Sequence, residues 1–409
     1  AKPGVEYFVN FDVRTTNEVL GIPANHNVAY DQFKLPFEAD KLAYAEQGPA
    51  LKFETKGNDV VVSSSKVKFV FDKKSGIATS YKVNGTEYFD KGFGIQPNFW
   101  RAPNDNDYGN GGPKRMQIWK QSSKDFNVVD TKIANEGENV VLTASYQLAA
   151  GNFYIMTYTV YPSGIVNVDA KFTSCDMEAK DVKVSIAALQ NATFSPGSEE
   201  ARQASKNVEV PRIGVRFRMP LKMNQVTYFG RGPEENYIDR KYGTMVGLYQ
   251  TTADDMYFPY VRPQENGHHT DTRWFAVTAK NGKGLLIEAT ETVGFNALRN
   301  SIEDFDAQES NREYQWNNFT AEEIAGRNYE AAKDSKPKQT HINDVTPRNF
   351  VEVCVDMKQQ GVAGYNSWGA RPEPGYNIPA NQNYDWNFTM IPVDNAAQAQ
   401  TKTGKSYKK

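Results

Sequence analysis

Short runs in which apolar and polar residues alternate, separated by turn-forming residues, recur along most of the 409-residue chain. Val67, Phe69 and Phe71 alternate with other residues, including lysines, which is typical of a strand that buries one face. Asn84-Gly85 predicts a tight hairpin turn between two such runs. The pattern as a whole predicts an all-β sandwich. Further strands are predicted at Val140–Leu148, Phe153–Tyr161, Ile165–Phe172, Val182–Ala188, Asn224–Phe229, Trp274–Ala279, Gly284–Ala289 and Asn349–Met357.

Helical patterns are scarce by comparison. Thr320 and Glu323 form a capping-box pattern that predicts a short helix ending near Arg327, and Pro113–Trp119 predicts one or two further turns. Strands and helices do not alternate along the chain, so we expect no TIM barrel in it.

Two strands are predicted ahead of the main β region, at Val5–Arg14 and His26–Leu35, with the turn-prone Leu20–Asn27 between them. Two strands alone are too few to bury a core. A length of 409 residues also exceeds what one hydrophobic core usually takes, which predicts two domains or one very large β domain.

The charge is nearly balanced, with a formal net charge of −2, which argues against nucleic acid and anionic membranes as partners. No apolar run approaches the length of a membrane span. The 6 Trp, 22 Tyr and 23 Phe residues suit a β core and also suit sugar binding, since aromatic rings stack on the C–H faces of pyranoses. Cys175 and Cys354 are expected to be buried free thiols, with a disulfide between them as the alternative.

Two polar segments interrupt the β pattern. Phe229–Arg240 reads FGRGPEENYIDR, and Pro259–Trp274 reads PYVRPQENGHHTDTRW. Gly230, Gly232 and Pro233 predict a turn, because glycine allows positive φ and proline fixes φ. From residue types alone, a structural corner of a sheet is the preferred interpretation. The side chains that follow the turn can form a hydrogen-bonded ion-pair cluster: Glu234, Glu235, Asn236, Asp239 and Arg240.

Together the two segments resemble the signature of the C-terminal β-sandwich domain of the large β-galactosidases of glycoside hydrolase family two. The resemblance implies a large two-sheet antiparallel super-sandwich of the galactose-mutarotase-like type over residues 46–393. It also implies that residues 1–45 are a partial immunoglobulin-like domain, represented by its last two strands. Residues 394–409 are polar and Lys-bearing, and we expect a disordered tail there.

The resemblance implies a supporting role in an enzyme that hydrolyses terminal β-galactosides. Retaining hydrolysis needs two carboxyl groups about 5 Å apart. In this family both are glutamates of a TIM barrel, so we expect no catalytic residue in this chain and no activity from it alone. The implied partners are a galactoside sugar and the enzyme's own TIM barrel, which would lie upstream, in a homo-oligomeric full enzyme.

Cofactor and compartment are left open by the residues. We expect this chain to require no cofactor and to hold no metal, while a divalent or monovalent cation in the full enzyme stays open. A periplasmic and a cytoplasmic bacterial location are equally compatible with the sequence, because a leader would lie upstream of it.

The segment Asn98–Asn110 collects charged and amide side chains in a loop. Its carboxylates are either ligands for Ca²⁺ or caps for backbone groups, and the capping interpretation is preferred. The segment resembles the family's loop beside the catalytic barrel, which implies a structural role at the active-site rim for Arg101, Asp105, Asn106 and Asp107.

His268 and His269 stand beside Glu265, Asn266 and Asp271. Glu and His residues can serve as general base and acid. Neighbours on a strand point to opposite faces, however, so we expect one packed and one solvent-facing histidine. In the family pattern the recurrent part is Glu-Asn-Gly and Asp-Thr-Arg, which implies a rim or structural role for Glu265 and Asn266.

The segment Gly361–Tyr376 reads GVAGYNSWGARPEPGY. A tryptophan in such a glycine-rich polar loop is poorly placed for a core and well placed for a binding surface. The alternative is local packing of Trp368 against Pro372 or Pro374. The loop resembles the one that carries the family's galactoside-contacting Trp, which implies substrate contact by Trp368 and, less strongly, by Asn366.

The same loop departs from the family pattern at two positions. Ala363 replaces a glycine, and Tyr365 stands where an acidic residue is usual. These departures bear on the path of the loop, whereas Ser367-Trp368 matches the pattern.

Two other functions are compatible with the residues. A free-standing carbohydrate-binding module would need an exposed aromatic platform of its own. An aldose mutarotase would need an acid and a base on opposite sides of one sugar ring, for which His269, His341 and Glu265 are the candidates.

Overall fold

A computed structural model describes residues 5–37, 46–148, 151–175, 185–191, 209–306, 341–366, 368–395 and 398 of the chain. The predicted helix at Thr320–Arg327 and most of the predicted tail at 394–409 lie outside these residues. The described strands are β1 (Phe8–Arg14), β2 (Asn27–Lys34), β3 (Lys52–Lys56), β4 (Asp59–Ser63), β5 (Val67–Asp72), β6 (Ile77–Val83), β7 (Thr86–Glu87), β8 (Gln96–Asn98), β9 (Asn127–Glu136), β10 (Asn139–Gln147), β11 (Phe153–Val160), β12 (Val166–Thr173), β13 (Arg212–Pro220), β14 (Gln225–Gly232), β15 (Met245–Thr252), β16 (His269–Thr278), β17 (Gly284–Leu298), β18 (Phe350–Gln359) and β19 (Tyr384–Val393).

The described helices are short. They are α1 (Asp105–Gly109), α2 (Gly112–Arg115), α3 (Gln117–Ser122), α4 (Ile186–Asn191) and α5 (Ile302–Phe305). Among them, none has the length and apolar character that crossing a bilayer requires. The helical turns predicted at Pro113–Trp119 are present as α2 and α3. The strand predicted at Val182–Ala188 is wrong where the chain is described, because Ile186 onward is helical.

The strands form three antiparallel sheets. A 12-stranded sheet runs β15-β14-β16-β17-β19-β12-β11-β10-β9, with β18, β13 and β8 paired off this path. A 5-stranded sheet runs β3 to β7 in sequence order, and β1 and β2 form a sheet of their own. The mostly β antiparallel fold predicted from the sequence is confirmed.

Strand β17 connects two parts of the large sheet. Its first part, Gly284–Ala289, pairs with β19, whereas Gly294–Leu298 pairs with β18. Residues 290–292, between these two parts, are exposed. One long strand therefore joins the body of the sheet to the β18–β13–β8 branch, and the functional loops described below follow β18 and β8.

The main core lies between the 5-stranded sheet and the large sheet. Val67, Phe69 and Phe71 are buried, as their alternation predicts. The rings of Phe69 and Tyr158 lie 5.8 Å apart across the two sheets. Burying an aromatic or aliphatic side chain of this size stabilises the fold by about 1.5–3 kcal/mol. Asn84 and Gly85 form the predicted hairpin turn, with φ values of 49° and 78°.

The β1–β2 hairpin packs on the outer face of the large sheet. Gln32 exchanges two hydrogen bonds with the backbone of Val246, at 2.9 and 2.7 Å. Glu6 pairs with Arg273 at 2.5 Å, and Phe8 packs against an apolar cluster on that face. The assignment of this hairpin to an immunoglobulin-like domain, and the domain boundaries after residues 45 and 393, stay predictions.

Cys175 and Cys354 are buried thiols that are not joined in a disulfide, as expected from the sequence.

Candidate functional site

The loop that follows β18, residues 361–370, presents two exposed aromatic side chains; we call it the Trp368 loop. Trp368 is 89% exposed and Tyr365 is 68% exposed. An indole this open makes no core contact, so local packing of Trp368 against Pro372 or Pro374 is wrong, and the surface position is confirmed. Ser367 lies outside the described residues.

The first anchor of the Trp368 loop is the N-terminal end of α1. Asn104 caps this helix, since its side chain accepts from the Asp107 amide while the Asp107 carboxylate accepts from the Asn104 amide. The Asn104 side chain also donates to the Val362 carbonyl at 2.9 Å. Asn106 donates to the carbonyls of Asn366 and Ala370, at 3.1 and 3.3 Å. The cap thus fixes the helix, and the helix holds the loop.

The loop is also closed by its own side chain. The Asn366 amide oxygen accepts from the backbone N–H groups of Trp368 and Ala370, at 2.9 and 3.2 Å. Asn366 is therefore occupied in shaping the turn around Trp368. This geometry favours a positioning contribution of Asn366 over direct sugar contact.

The second anchor is Asp239, at the end of the segment that begins at Phe229. Its two carboxylate oxygens accept from the amides of Val362 and Ala363, at 3.0 and 2.8 Å. Ala363 has a φ of 55°, in the left-handed region that favours glycine. The departure from glycine noted in the sequence therefore falls at the strained residue of the loop.

Arg101 links α1 to the start of the Trp368 loop from inside the fold. It is almost fully buried, and its Nη2 donates to Asp107 at 3.1 Å and to the Gly361 carbonyl at 3.2 Å. Burial raises the pKa of Asp107, and the charge of Arg101 only partly offsets this effect. Asp105 pairs with a different arginine, Arg262, at 2.6 Å. The two carboxylates of Asp105 and Asp107 thus serve separate ion pairs, and the Asp107 carboxylate also caps the Asn104 amide, as the capping interpretation predicts.

A second cluster, next to Asp239 in sequence, surrounds Glu235. The Glu235 carboxylate accepts from Arg240 at 2.8 Å, from the Gly267 amide at 2.7 Å and from the Tyr260 hydroxyl. Burial and the hydrogen bond to Glu235 raise the pKa of Tyr260, so its phenol stays a donor at neutral pH. The predicted ion-pair cluster is therefore present in part, as the pair of Glu235 and Arg240. Sequence reasoning missed Tyr260 as a member of this cluster and Arg262 as the partner of Asp105.

Three of the predicted site residues are buried supports. Asn236 accepts from the Thr270 amide and hydroxyl, at 2.9 and 2.6 Å, and so ties the turn to the start of β16. Asn266 accepts from the Phe258 amide at 3.2 Å. Glu265 pairs with the fully buried Arg212 at 2.8 Å. These side chains lie inside the fold and bond to protein groups, and their role at an active-site rim stays a prediction.

The histidine pair is buried at both positions. His268 and His269 are 2% and 3% exposed, so the expectation of one solvent-facing ring is wrong. The rings do point apart: His268 stacks on Tyr237, whereas His269 packs edge-on against Tyr228. The reason is that aromatic side chains cover both faces of the segment where we expected water on one.

Burial also sets the protonation of the pair. It lowers the pKa of His268 well below the ordinary value, and the nearby Arg212 charge lowers it further. Burial lowers the pKa of His269 despite carbonyl oxygens at 3.0 and 3.2 Å from its two ring nitrogens. Neither ring is accessible to exchange protons with a substrate.

Metal binding was one option for the acidic residues of this region. Within the described ranges, no group of three or more His, Cys, Asp and Glu side chains is arranged to hold a metal ion.

Residues 63–390 match the family model described as the β-galactosidase small chain. The chain belongs to this family. The predicted resemblance to the C-terminal part of a β-galactosidase is therefore confirmed, and we refer to the chain below as the small-chain domain.

Relatives that match the small-chain domain are much longer than it. A β-galactosidase of Priestia megaterium is 29% identical over 390 residues, which cover 95% of this chain and 32% of that protein. A β-galactosidase of Streptococcus thermophilus is 26% identical over 410 residues, covering 96% and 34%. The chain spans about a third of the length of these curated relatives.

Solved structures with a similar fold are more distant in sequence. A galactose mutarotase related enzyme of Lactobacillus acidophilus has a TM-score of 0.38 at 9% identity, covering 82% of this chain and 97% of that chain. A galactose mutarotase-like protein of Lactobacillus casei has a TM-score of 0.38 at 10% identity, covering 82% and 100%. The likeness concerns the β fold alone.

Proposed function

We propose that this small-chain domain completes the substrate site of a β-galactosidase, in which Trp368 forms one wall for the galactoside. The observation that carries the proposal is an indole 89% exposed on a loop that is hydrogen-bonded at both ends. An indole offers a flat apolar face to a pyranose, and its N–H can reach a polar partner. A loop that is already ordered loses little conformational freedom when ligand binds.

The proposal assigns no proton transfer and no nucleophile to this domain. The acidic side chains near the Trp368 loop are already engaged. Asp239 accepts from two amides of the loop. Three others pair with cations: Asp105 with Arg262, Asp107 with Arg101, and Glu235 with Arg240. Retaining hydrolysis needs a carboxylate nucleophile and a carboxylic acid on either side of one glycosidic bond. In our proposal both belong to the catalytic portion, which lies in the part of the relatives' length that this chain does not span.

Assembly with that portion is the second part of the proposal. Large apolar side chains are exposed on the β1–β2 hairpin, including Phe11, Val13, Val28 and Phe33. An exposed apolar patch of this kind supports coverage by another part of the protein. The remaining strands of an immunoglobulin-like domain are the proposed cover, and a homo-oligomer of the full enzyme is the proposed final state.

An assay of the isolated domain tests the proposal that the catalytic groups lie in another part of the enzyme. Assayed with a nitrophenyl galactoside, the purified and folded chain is expected to release nitrophenol at the rate of the blank. Turnover that co-purifies with the chain, and that survives further purification, contradicts the proposal.

A free-standing carbohydrate-binding module is the second candidate, because the exposed indole is a platform that such a module also needs. Titration of the isolated domain with galactose or lactose separates the two functions. Saturable binding that Trp368→Ala abolishes favours the module, whereas absence of binding favours the composite site. A mutarotase role is disfavoured by the burial of Glu265 and His269, and polarimetry on freshly dissolved galactose tests it.

A further inference from the structure

We infer that Asp239 is a positioning residue, whose carboxylate fixes the start of the Trp368 loop and so sets galactoside affinity without touching the sugar. The inference deepens the proposed function and rests on the role of Trp368 in it. It concerns a residue that lies far from Trp368 in the sequence and reaches the loop only through the fold.

The contact geometry is that of an anion held by successive amides. Oδ1 of Asp239 accepts from Val362 at 3.0 Å, and Oδ2 accepts from Ala363 at 2.8 Å. Consecutive backbone N–H groups that point at one anion form a concave anion-binding arrangement. Hydrogen bonds to an ionised acceptor are about twice as strong as those between neutral groups. The two amides at the start of the loop therefore share one carboxylate acceptor.

Asp239 is itself held in a rigid turn. The backbones of Tyr237 and Arg240 exchange two hydrogen bonds across it, at 3.2 and 2.7 Å. Tyr237 is buried. Arg240, on the other side of Asp239, donates to the Glu235 carboxylate. The carboxylate is thus presented from a fixed base rather than from a mobile chain.

The loop is shaped to receive this carboxylate. A Cβ placed on Gly361 would lie 2.5 Å from Oδ2 of Asp239, so only glycine leaves room for the contact. Two residues later, Ala363 holds a left-handed conformation with φ of 55°, and its N–H is one of the two that Asp239 accepts from. The contact compensates a backbone conformation that alanine disfavours.

The two anchors act on different parts of the loop. Asp239 binds at 362 and 363, whereas Asn106 binds the carbonyls of 366 and 370 on either side of Trp368. Loss of Asp239 therefore leaves the Val362 and Ala363 amides without this acceptor, while Arg101 and Asn104 still hold the carbonyls of Gly361 and Val362. We expect the indole to sample several positions instead of one.

The test is Asp239→Asn in the full-length β-galactosidase that carries this domain. The new amide NH₂ would face a backbone N–H, so one of the two hydrogen bonds is replaced by a donor–donor contact. We expect KM for a nitrophenyl galactoside to rise about 5–10-fold with kcat within about twofold, the pattern of lost ground-state binding. The matched control is Asp72→Asn, because Asp72 also accepts from two backbone amides, at 3.0 and 3.2 Å, but in the 5-stranded sheet. It should leave KM unchanged.

A double-mutant cycle separates positioning from general stability. With Trp368→Ala present, Asp239→Asn should raise KM no further, since both changes act through the same indole. A merely structural role would instead lower the melting temperature and leave the KM effects additive. Additive effects on KM therefore overturn the inference.

Failure of the inference is distinguishable from failure of the proposed function. If Trp368→Ala raises KM and Asp239→Asn does not, the inference is wrong and the proposed function stands. If Trp368→Ala leaves KM unchanged, the proposed function is wrong. In that case amide hydrogen exchange over residues 361–370 still tests the anchor: Asp239→Asn should speed exchange at Val362 and Ala363, and unchanged protection overturns it.

A second variant covers the case in which Asp239→Asn fails to fold. Gly361→Ala places a Cβ 2.5 Å from Oδ2 of Asp239 and so pushes the carboxylate away from the loop, although Asp239 itself is unchanged. We expect the same rise in KM from it, and an unchanged KM in a folded Gly361→Ala enzyme contradicts the inference.

Discussion

Gly109, at the end of α1, and Gly369, in the Trp368 loop, meet backbone to backbone: a Cβ added to Gly109 would lie 2.8 Å from the Cα of Gly369. No flexible side chain stands between them to absorb a change. The loop can lie this close to α1 only because neither residue has a Cβ atom.

We predict that Gly109→Ala in the full-length enzyme raises KM for galactosides about 3–10-fold with little change in kcat, because overpacking at backbone atoms displaces the loop. Overpacking of this kind costs about 1–3 kcal/mol, so the melting temperature should also fall, although the better helix propensity of alanine offsets part of the loss. Gly243→Ala is the control, since its Cβ would meet nothing within 4 Å. Equal KM values for the two variants would show that the close approach is irrelevant to binding.

Substitution of Ala363, in contrast, is predicted to stabilise the domain. Its φ of 55° is costly for a residue with a Cβ, by about 1–2 kcal/mol for a left-handed residue. We expect Ala363→Gly to raise the free energy of unfolding by about 0.5–1 kcal/mol, the gain being reduced by the greater freedom of glycine in the unfolded chain.

Chemical denaturation of the domain measures this change. Ala134→Gly, an exposed position in β9, is the comparison and should destabilise. A loss of stability in Ala363→Gly as large as that in Ala134→Gly would contradict the assignment of strain.

How much of this the sequence could predict differs between fold and site. Strand positions and the Asn84-Gly85 turn follow from local alternation and turn chemistry, and most of them are confirmed. Strand β13 escaped prediction because Arg212 and Arg216 lie along it. Both are buried and pair with the carboxylates of Glu265 and Glu352. A sequence pattern with two arginines therefore did not indicate that the strand lies in the core.

The site was predictable in its parts and not in its assembly. The two segments from Phe229 and from Asn98, and the loop with Trp368, each stood out by their residue types. Their meeting depends on pairing between distant strands, such as β13 with both β8 and β18. No local pattern records which carboxylate will reach the Val362 amide, and the burial of both histidines likewise depends on rings brought in from other strands.

Asp356 supplies a pH-dependent term in stability. It is fully buried, and burial raises its pKa to about 7 although the Arg212 guanidinium opposes the shift. The pKa of an aspartate in an unfolded chain is about 3.9. Because the folded-state pKa is the higher one, this stabilisation is fully present below about pH 4 and is lost as pH rises to about 7.

We therefore predict that Asp356→Asn flattens the decline in melting temperature between about pH 4 and 7, relative to the unmodified domain. Glu303 contributes to stability in a different pH range. Burial alone would raise its pKa, but Arg216 outweighs this effect and lowers the pKa to about 2. The stabilisation from Glu303 is therefore lost only in acid. His268, 3.7 Å from Asp356, also gives a pH-dependent term, and comparing the variant with the parent at each pH largely removes it.

Asp254→Asn is the control for this experiment, because Asp254 forms a partly exposed ion pair with Arg299 at 2.8 Å. The profile of Asp356→Asn should be flatter than that of Asp254→Asn between about pH 4 and 7. Equal slopes for the two variants would show that Asp356 does not titrate in this range.

The kinetic constants of Trp368→Ala in the full-length enzyme test the central claim most directly. We predict a KM for galactosides raised about 5–150-fold, equivalent to about 1–3 kcal/mol for one stacked aromatic contact, with a smaller change in kcat and an unchanged melting temperature. Tyr242→Ala, which removes another aromatic side chain that is 78% exposed, should leave KM unchanged. A KM at the wild-type value, with a melting temperature lowered by several degrees, would contradict the account and make Trp368 a packing residue.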